Sequence, residues 1–89
     1  MKIVSIIIPH YNGKKLLHNC ISSIYQNINI DNFEIVVVDN ASTDDSVKNI
    51  KDIFSDVVIV SNKENIGYSG GCNIGAQQAK GKYLIFLNN

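Results

Sequence analysis

Residues 33–46 read FEIVVVDNASTDDS, and this stretch decides the fold. Its first part, 33–39, is nearly continuous apolar sequence rich in valine, the mark of a strand covered on both faces. An acid, Asp39, stands where that strand ends. The polar run that follows looks like the start of a helix. Ser42 and Thr43 suit N-cap positions, and Ser42 to Asp45 has the spacing of a capping box. Asp44 and Asp45 would then sit in the first turn, where the helix dipole favours negative charge. A buried strand running straight into a helix is half of a βαβ unit.

The same alternation extends in both directions. Upstream, IVSIII at 3–8 is a second both-faces-buried strand, and Pro9 is expected to end it because proline has no N–H for a ladder. A turn, HYNG, leads into a helix over 14–27, whose stripe Leu17, Cys20, Ile21 and Ile24 follows helical spacing. Residues 28–32 are a loop. Downstream, Val47, Ile50 and Phe54 form the inner face of a helix over 45–54, and VVIV at 57–60 is the third strand. The glycine-rich loop SNKENIGYSGG precedes a third helix over 71–80, with an inner stripe of Cys72, Gly75, Ala76 and Ala79. These residues are small, so this helix can lie close to the sheet. Gly81 is the expected C′ residue that closes it, and KYLIFL at 82–87 is the fourth strand.

The order βαβαβαβ implies an α/β, Rossmann-like three-layer sandwich on a parallel sheet of about four strands. The commonest arrangement of such a half is 3-2-1-4. Right-handed crossovers then put the first two helices on one face and the third on the other. Cys20 and Cys72 therefore fall on opposite sides of the sheet, and no disulfide between them is expected.

The chain has 89 residues, enough for one domain. Its 45% hydrophobic and 18% charged residues are ordinary for a globular protein, and its formal net charge is zero, which disfavours nucleic acid as a partner. The two cysteines have no C-x-x-C spacing, so zinc is not expected and a reducing, cytoplasmic setting is. No segment approaches the ~20 apolar residues of a membrane span.

Open parallel sheets bind ligands beyond the carboxyl ends of their strands, where strand order reverses. In the order 3-2-1-4 the reversal lies between the first and fourth strands, at PHYNG and the terminal NN. Asp39, Asn65, Gly67, Gly70, Gly71 and Asn73 map to the same edge. Asp39 could equally be a plain turn residue, and Tyr11 plain packing. A dinucleotide site requires G-x-G-x-x-G after the first strand, and only one glycine is there. A P-loop, a receiver domain's acidic cluster and a serine nucleophile elbow are also missing. His10 and His18 have no metal spacing and read as surface residues.

VSIIIPHYNG, FEIVVVDNASTDDS and ENIGYSGGCNIGAQQAKGKYLIFLNN resemble, in this order and spacing, the N-terminal part of a family 2 glycosyltransferase of the GT-A fold. The likeness runs the length of the chain. The variants NIGYSGGCNIG and LNN look most like bacterial rhamnosyltransferase-type enzymes. The resemblance implies transfer of a sugar from a nucleoside-diphosphate sugar to an acceptor saccharide or lipid-linked saccharide, in cell-surface polysaccharide synthesis. It implies a nucleotide site made by Pro9, Tyr11, Asn12, Asp39, Asn65, Gly70, Asn73 and Asn88. Tyr11 would stack on the base and Asp39 would accept a hydrogen bond from it.

The family also places a D-x-D-like motif after the fourth strand, where a carboxylate holds Mg²⁺ or Mn²⁺ against the diphosphate. Here Asn88 and Asn89 stand there, and neutral amides substitute poorly for a carboxylate. The metal carboxylate is expected just after Asn89, so residues 1–89 are expected to be the nucleotide-sugar-binding part of a longer enzyme, inactive and metal-free alone. In its full length that enzyme is expected to be cytoplasmic or membrane-associated. The alternatives are a nucleotide-binding or assembly module without chemistry and a degenerate dinucleotide-binding domain. The fourth strand, apolar and at an edge, is expected to join copies of this chain into a homo-oligomer.

Overall fold

The computed structural model describes residues 2–29 and 31–89; Met1 and Ile30, the latter within the expected 28–32 loop, lie outside the described residues. The elements follow in the expected order: β1 (Val4–His10), α1 (Lys14–Asn27), β2 (Phe33–Asp39), α2 (Ser46–Ile53), β3 (Val58–Ser61), α3 (Gly67–Gln78) and β4 (Tyr83–Phe86). The four strands form one sheet in the order β3-β2-β1-β4. Each pairing is parallel, with Ile7 opposite Val36 on one side and Phe86 on the other.

Strand alternation divides the core in two. Ile6, Ile8, Ile35 and Val37 face α1 and α2, where Leu17, Ile21, Ile24 and Ile50 complete the larger cluster. Ile7, Val36 and Val38 face α3, against Ile74, Ala76 and Ala79. Cys20 packs on the first cluster, and α3, which carries Cys72, lies over the second. Both thiols are free, with the sheet between them.

Several local expectations give way to tertiary structure. Pro9 does not end β1; it stays in register with Val38, and His10 pairs with Asp39. The Ile7 carbonyl accepts from Leu87 N, and the His10 carbonyl accepts from Asn40 N. Residues of β1 therefore alternate between the two neighbours, and Pro9 falls on the β4 side. Its missing N–H stops the ladder with β4, which ends at Phe86, and leaves the ladder with β2 intact.

The capping of α2 also differs. Its N-cap is Asp45, without a side-chain cap bond. The Ser42 hydroxyl instead accepts from Asn12 N, and Ser46 N donates to Asp44 Oδ1. The two acids thus precede the helix and do not lie in its first turn.

Helix α3 starts at Gly67, four residues before the expected 71, so part of the glycine-rich loop is helical. Gly71 and Gly75 are its buried positions. A Cβ on Gly75 would stand 2.4 Å from Ile7 Cγ2, so the close approach expected of a small-residue helix is made through this glycine. Cys72 is only half-buried. The helix ends at Gln78, and Gly81 is not its C′ residue. Gly81 is needed for contact with β1: its N–H donates to Ser5 Oγ at 2.8 Å, and a Cβ would lie 2.6 Å from Ser5 N. Ser5 Oγ in turn donates to the buried Glu34, which also accepts from Lys80 N. That network ties the α3–β4 turn to the starting ends of β1 and β2.

Candidate functional site

At the carboxyl ends of β1 and β4 the chain forms a cleft of about 270 Å³ lined by Pro9, His10, Tyr11, Asn40, Asn65, Gly67, Tyr68, Asn88 and Asn89. The rim is aromatic on two sides: Tyr11 is 49% exposed and Tyr68 43%. The remainder of the lining is mostly side-chain amide. Such a surface offers flat faces for stacking and neutral groups that both donate and accept hydrogen bonds.

Of the residues singled out from sequence, Pro9, Tyr11, Asn65, Gly67, Asn88 and Asn89 line this cleft. Asp39 stands at the end of β2 just behind it, half-buried, with Oδ1 accepting from Ser42 N at 2.9 Å. Asn12 works within the loops. It lies at φ 51°, and its Oδ1 accepts from Thr43 N at 2.8 Å and Asp44 N at 3.3 Å. It thereby clamps the β1–α1 loop to the β2–α2 loop. Gly70 sits over Ile66, where a Cβ would come within 2.9 Å of Ile66 Cγ1. Asn73 is exposed on α3, outside the cleft lining.

One residue that sequence reading passed over, Asn40, does much of the positioning. Asn40 is 3% exposed. Its Nδ2 donates to the Gly67 carbonyl at 3.1 Å and its Oδ1 accepts from Asn62 Nδ2 at 2.8 Å. One side chain therefore joins the ends of β2 and β3 to the first residue of α3. Gly67, at φ 78°, takes a conformation that favours glycine, and its N–H donates to Asn65 Oδ1. Tyr68 follows at once, so this turn sets where the second aromatic rim lies.

His10 is the largest departure. It was expected at the surface, and it is 2% exposed. It ends β1, where side chains on its face pack under α2. Nε2 lies 2.9 Å from Ser46 Oγ and Nδ1 lies 3.2 Å from Asn89 Nδ2. Burial lowers its pKa from the ordinary imidazole value, outweighing the pull of Asp39 and Asp44 and the hydrogen bond with Asn89 in the other direction. The carboxyl of Asp44 is held below its usual range, first by the hydrogen bond from Ser46 Oγ and then by that from Gly13 N.

A second cleft, about 380 Å³, lies at the opposite end of the strands and includes Lys2, Asp31, Glu34, Asp56 and Lys80. Its charges are of mixed sign, and Glu34 is already committed to Ser5 and Lys80 N. Among the described residues no group of three or more His, Cys, Asp or Glu side chains could hold a metal ion.

The family model described as Glycosyl transferase family 2 matches residues 5–89. An Escherichia coli protein named UDP-Glc:alpha-D-GlcNAc-diphosphoundecaprenol beta-1,3-glucosyltransferase WfaP is 35% identical, over 100% of this chain and 36% of its own. The crystal structure of S. aureus TarS 1-349 in complex with UDP superposes with a TM-score of 0.85 at 27% identity, covering 99% of this chain and 27% of that one. A mannosyltransferase from Pyrobaculum calidifontis, in complex with GDP-Man and Mn²⁺, gives a TM-score of 0.82 at 28% identity, over 96% of this chain and 26% of its own. The chain spans between 13% and 36% of the length of the curated relatives compared with it. None of these names speaks for the rhamnosyltransferase-like type that the motifs resemble. The reach of the family match, the GT-A-like sheet order and the cleft at the strand reversal agree: the chain belongs to glycosyl transferase family 2.

Proposed function

We propose that residues 1–89 form the nucleotide-sugar-binding part of a glycosyltransferase that passes a sugar from a nucleoside-diphosphate donor to an acceptor in cell-surface polymer synthesis. The observation that carries this reading is the amide-lined cleft between Tyr11 and Tyr68, at the carboxyl edge of a family 2 domain. In this reading the base stacks on Tyr11 beside Pro9. Asp39 accepts the base N–H through the oxygen not used by Ser42 N. Asn65, Gly70 and Asn73 belong to the segment that closes over the nucleoside, and Asn88 contacts the donor beyond β4. Asn12 contributes by fixing the loop that carries Tyr11. Uridine diphosphate is the proposed nucleotide, since the E. coli relative is named for a UDP sugar and the S. aureus structure holds UDP.

The acceptor is a saccharide or a lipid-linked saccharide, by analogy with the diphosphoundecaprenol in the E. coli name. The proposed setting is the cytoplasm, with membrane association of the full-length protein. Among the described residues no helix is long and apolar enough to cross a membrane.

Mg²⁺ or Mn²⁺ is the cofactor the family implies, and the residues present do not fit it. Asp44 is engaged by Ser46 and Gly13, and Asp45 pairs with Lys14 at 3.4 Å. Asn88 and Asn89 offer only neutral amides, which hold a hard divalent cation poorly. No step is therefore assigned to a metal here.

Calorimetry on this chain with uridine diphosphate separates the outcomes. The reading expects weak binding that added Mg²⁺ improves little, and its loss in Asp39→Ala. Binding unchanged in both Asp39→Ala and Tyr11→Ala would contradict it. A strong gain with metal would mean that Asn88, Asn89 or the Asp44–Asp45 pair coordinates the ion, against this reading.

A further inference from the structure

Three loops meet behind the cleft, and the hydrogen bonds joining them run in one direction. Ser46 has a single O–H, which it donates to Asp44 Oδ1. An ionised carboxylate only accepts. Ser46 Oγ can therefore meet His10 only as an acceptor, so the proton of the His10 ring is on Nε2, 2.9 Å away. A neutral imidazole with Nε2–H has a lone pair on Nδ1. That lone pair faces Asn89 Nδ2 at 3.2 Å and takes its N–H. The series Asn89 to His10 to Ser46 to Asp44 is thus complete, each group donating to the next.

Both middle members are buried, Ser46 at 0% and His10 at 2%. The far end is anchored twice more, because Gly13 N donates to Asp44 Oδ2 at 2.8 Å and Ser46 N to Oδ1 at 3.1 Å. Removing any link leaves a buried polar atom without its partner.

We propose that His10 is a positioning residue that sets the orientation of the Asn89 amide at the mouth of the cleft, with Ser46 and Asp44 fixing the His10 tautomer. With Nδ2 held by the imidazole, the Asn89 carbonyl oxygen is left directed away from His10, as an acceptor for a donor group on the ligand. The charged and titratable groups that face the ring are Asp39 and Asp44. Both favour imidazolium, and burial overcomes them, which keeps the ring in the neutral form that the series requires. The role in binding rests on the nucleotide-sugar reading above; the hydrogen-bond series does not.

Nitrogen-15 NMR of the imidazole and of the Asn89 side-chain amide in this chain tests the proposal. The expected resting state is the Nε2–H tautomer, with one Asn89 amide proton shifted by its bond to Nδ1. Ser46→Ala should weaken the tautomer preference and move the Asn89 amide signals, although residue 46 does not touch Asn89. His10→Phe should remove the Asn89 signature in a chain that stays folded; if that variant does not fold, Ser46→Ala decides alone. Uridine diphosphate affinity should fall about fivefold in Ser46→Ala, about 1 kcal/mol. An Nδ1–H tautomer, or Asn89 signals that ignore Ser46→Ala, would overturn the relay. Intact signatures with unchanged affinity would overturn its part in binding. Absence of any nucleotide binding to the unaltered chain would instead sink the nucleotide reading, while the tautomer still decides the relay.

Discussion

At the scale of single residues, two buried polar side chains organise the cleft, and both were illegible in the sequence. Asn40 follows the apolar run 33–39 and looks like any loop amide. It is buried because the ends of β2, β3 and the start of α3 converge on it. Asn40→Ala would remove its hydrogen bonds to Asn62 Nδ2 and the Gly67 carbonyl, and should cost about 1–3 kcal/mol in urea unfolding. His10 was hidden for the same reason, since burial at the end of a strand depends on which loop folds over it. Its depressed pKa has a definite sign in linkage. The unfolded chain binds the proton more readily, so stability holds above about pH 6.5 and falls as pH drops below that toward the folded-state value. His10→Gln should flatten this part of a stability-against-pH curve. A curve of the same slope in the variant would place the proton uptake elsewhere.

At the scale of elements, periodicity exposed the strands and helices, and packing moved their ends. The stripes of α1 and α2 were legible because Leu17, Ile21, Ile24 and Ile50 are apolar at helical spacing. The start of α3 was not, because the glycines that mark a loop in local terms here let the helix lie against Pro9 and Ile7. Tertiary contact overrode a poor helix propensity. Gly75→Ala should therefore destabilise the chain. The added Cβ meets Ile7 and Val38, and overpacking of about 1–3 kcal/mol exceeds the roughly 1 kcal/mol gained in helix propensity. A rise in the urea midpoint would show that α3 can shift off the sheet at little cost. Asp39, Tyr11 and Pro9 fall at the carboxyl edge because the apolar runs set the direction and order of β1 and β2, although β1 continues through Pro9 to His10. Asn12, Gly70 and Asn73 were not distinguishable, from spacing alone, as loop clamp, helix contact and exposed position.

At the scale of the whole molecule, the sheet order was legible from the alternation of elements, and it leaves β4 at an edge among the described residues. Tyr83, Leu84, Ile85 and Phe86 are all exposed there, between 39% and 58%. An apolar edge without charge, proline or bulge invites pairing with another chain. For residues 1–89 by themselves, antiparallel pairing of two β4 strands about a two-fold axis should give a dimer by sedimentation at micromolar concentration, weakened by Leu84→Lys or Ile85→Lys. A monomer unaffected by either change would contradict that assembly. The proposed nucleotide site lies at the carboxyl edge of the sheet. Backbone chemical-shift mapping with uridine diphosphate tests it most directly. Shifts are expected at Tyr11, Asn40, Gly67, Tyr68 and Asn88. Shifts confined to Glu34, Asp56 and Lys80, around the cleft at the other end of the strands, would contradict it.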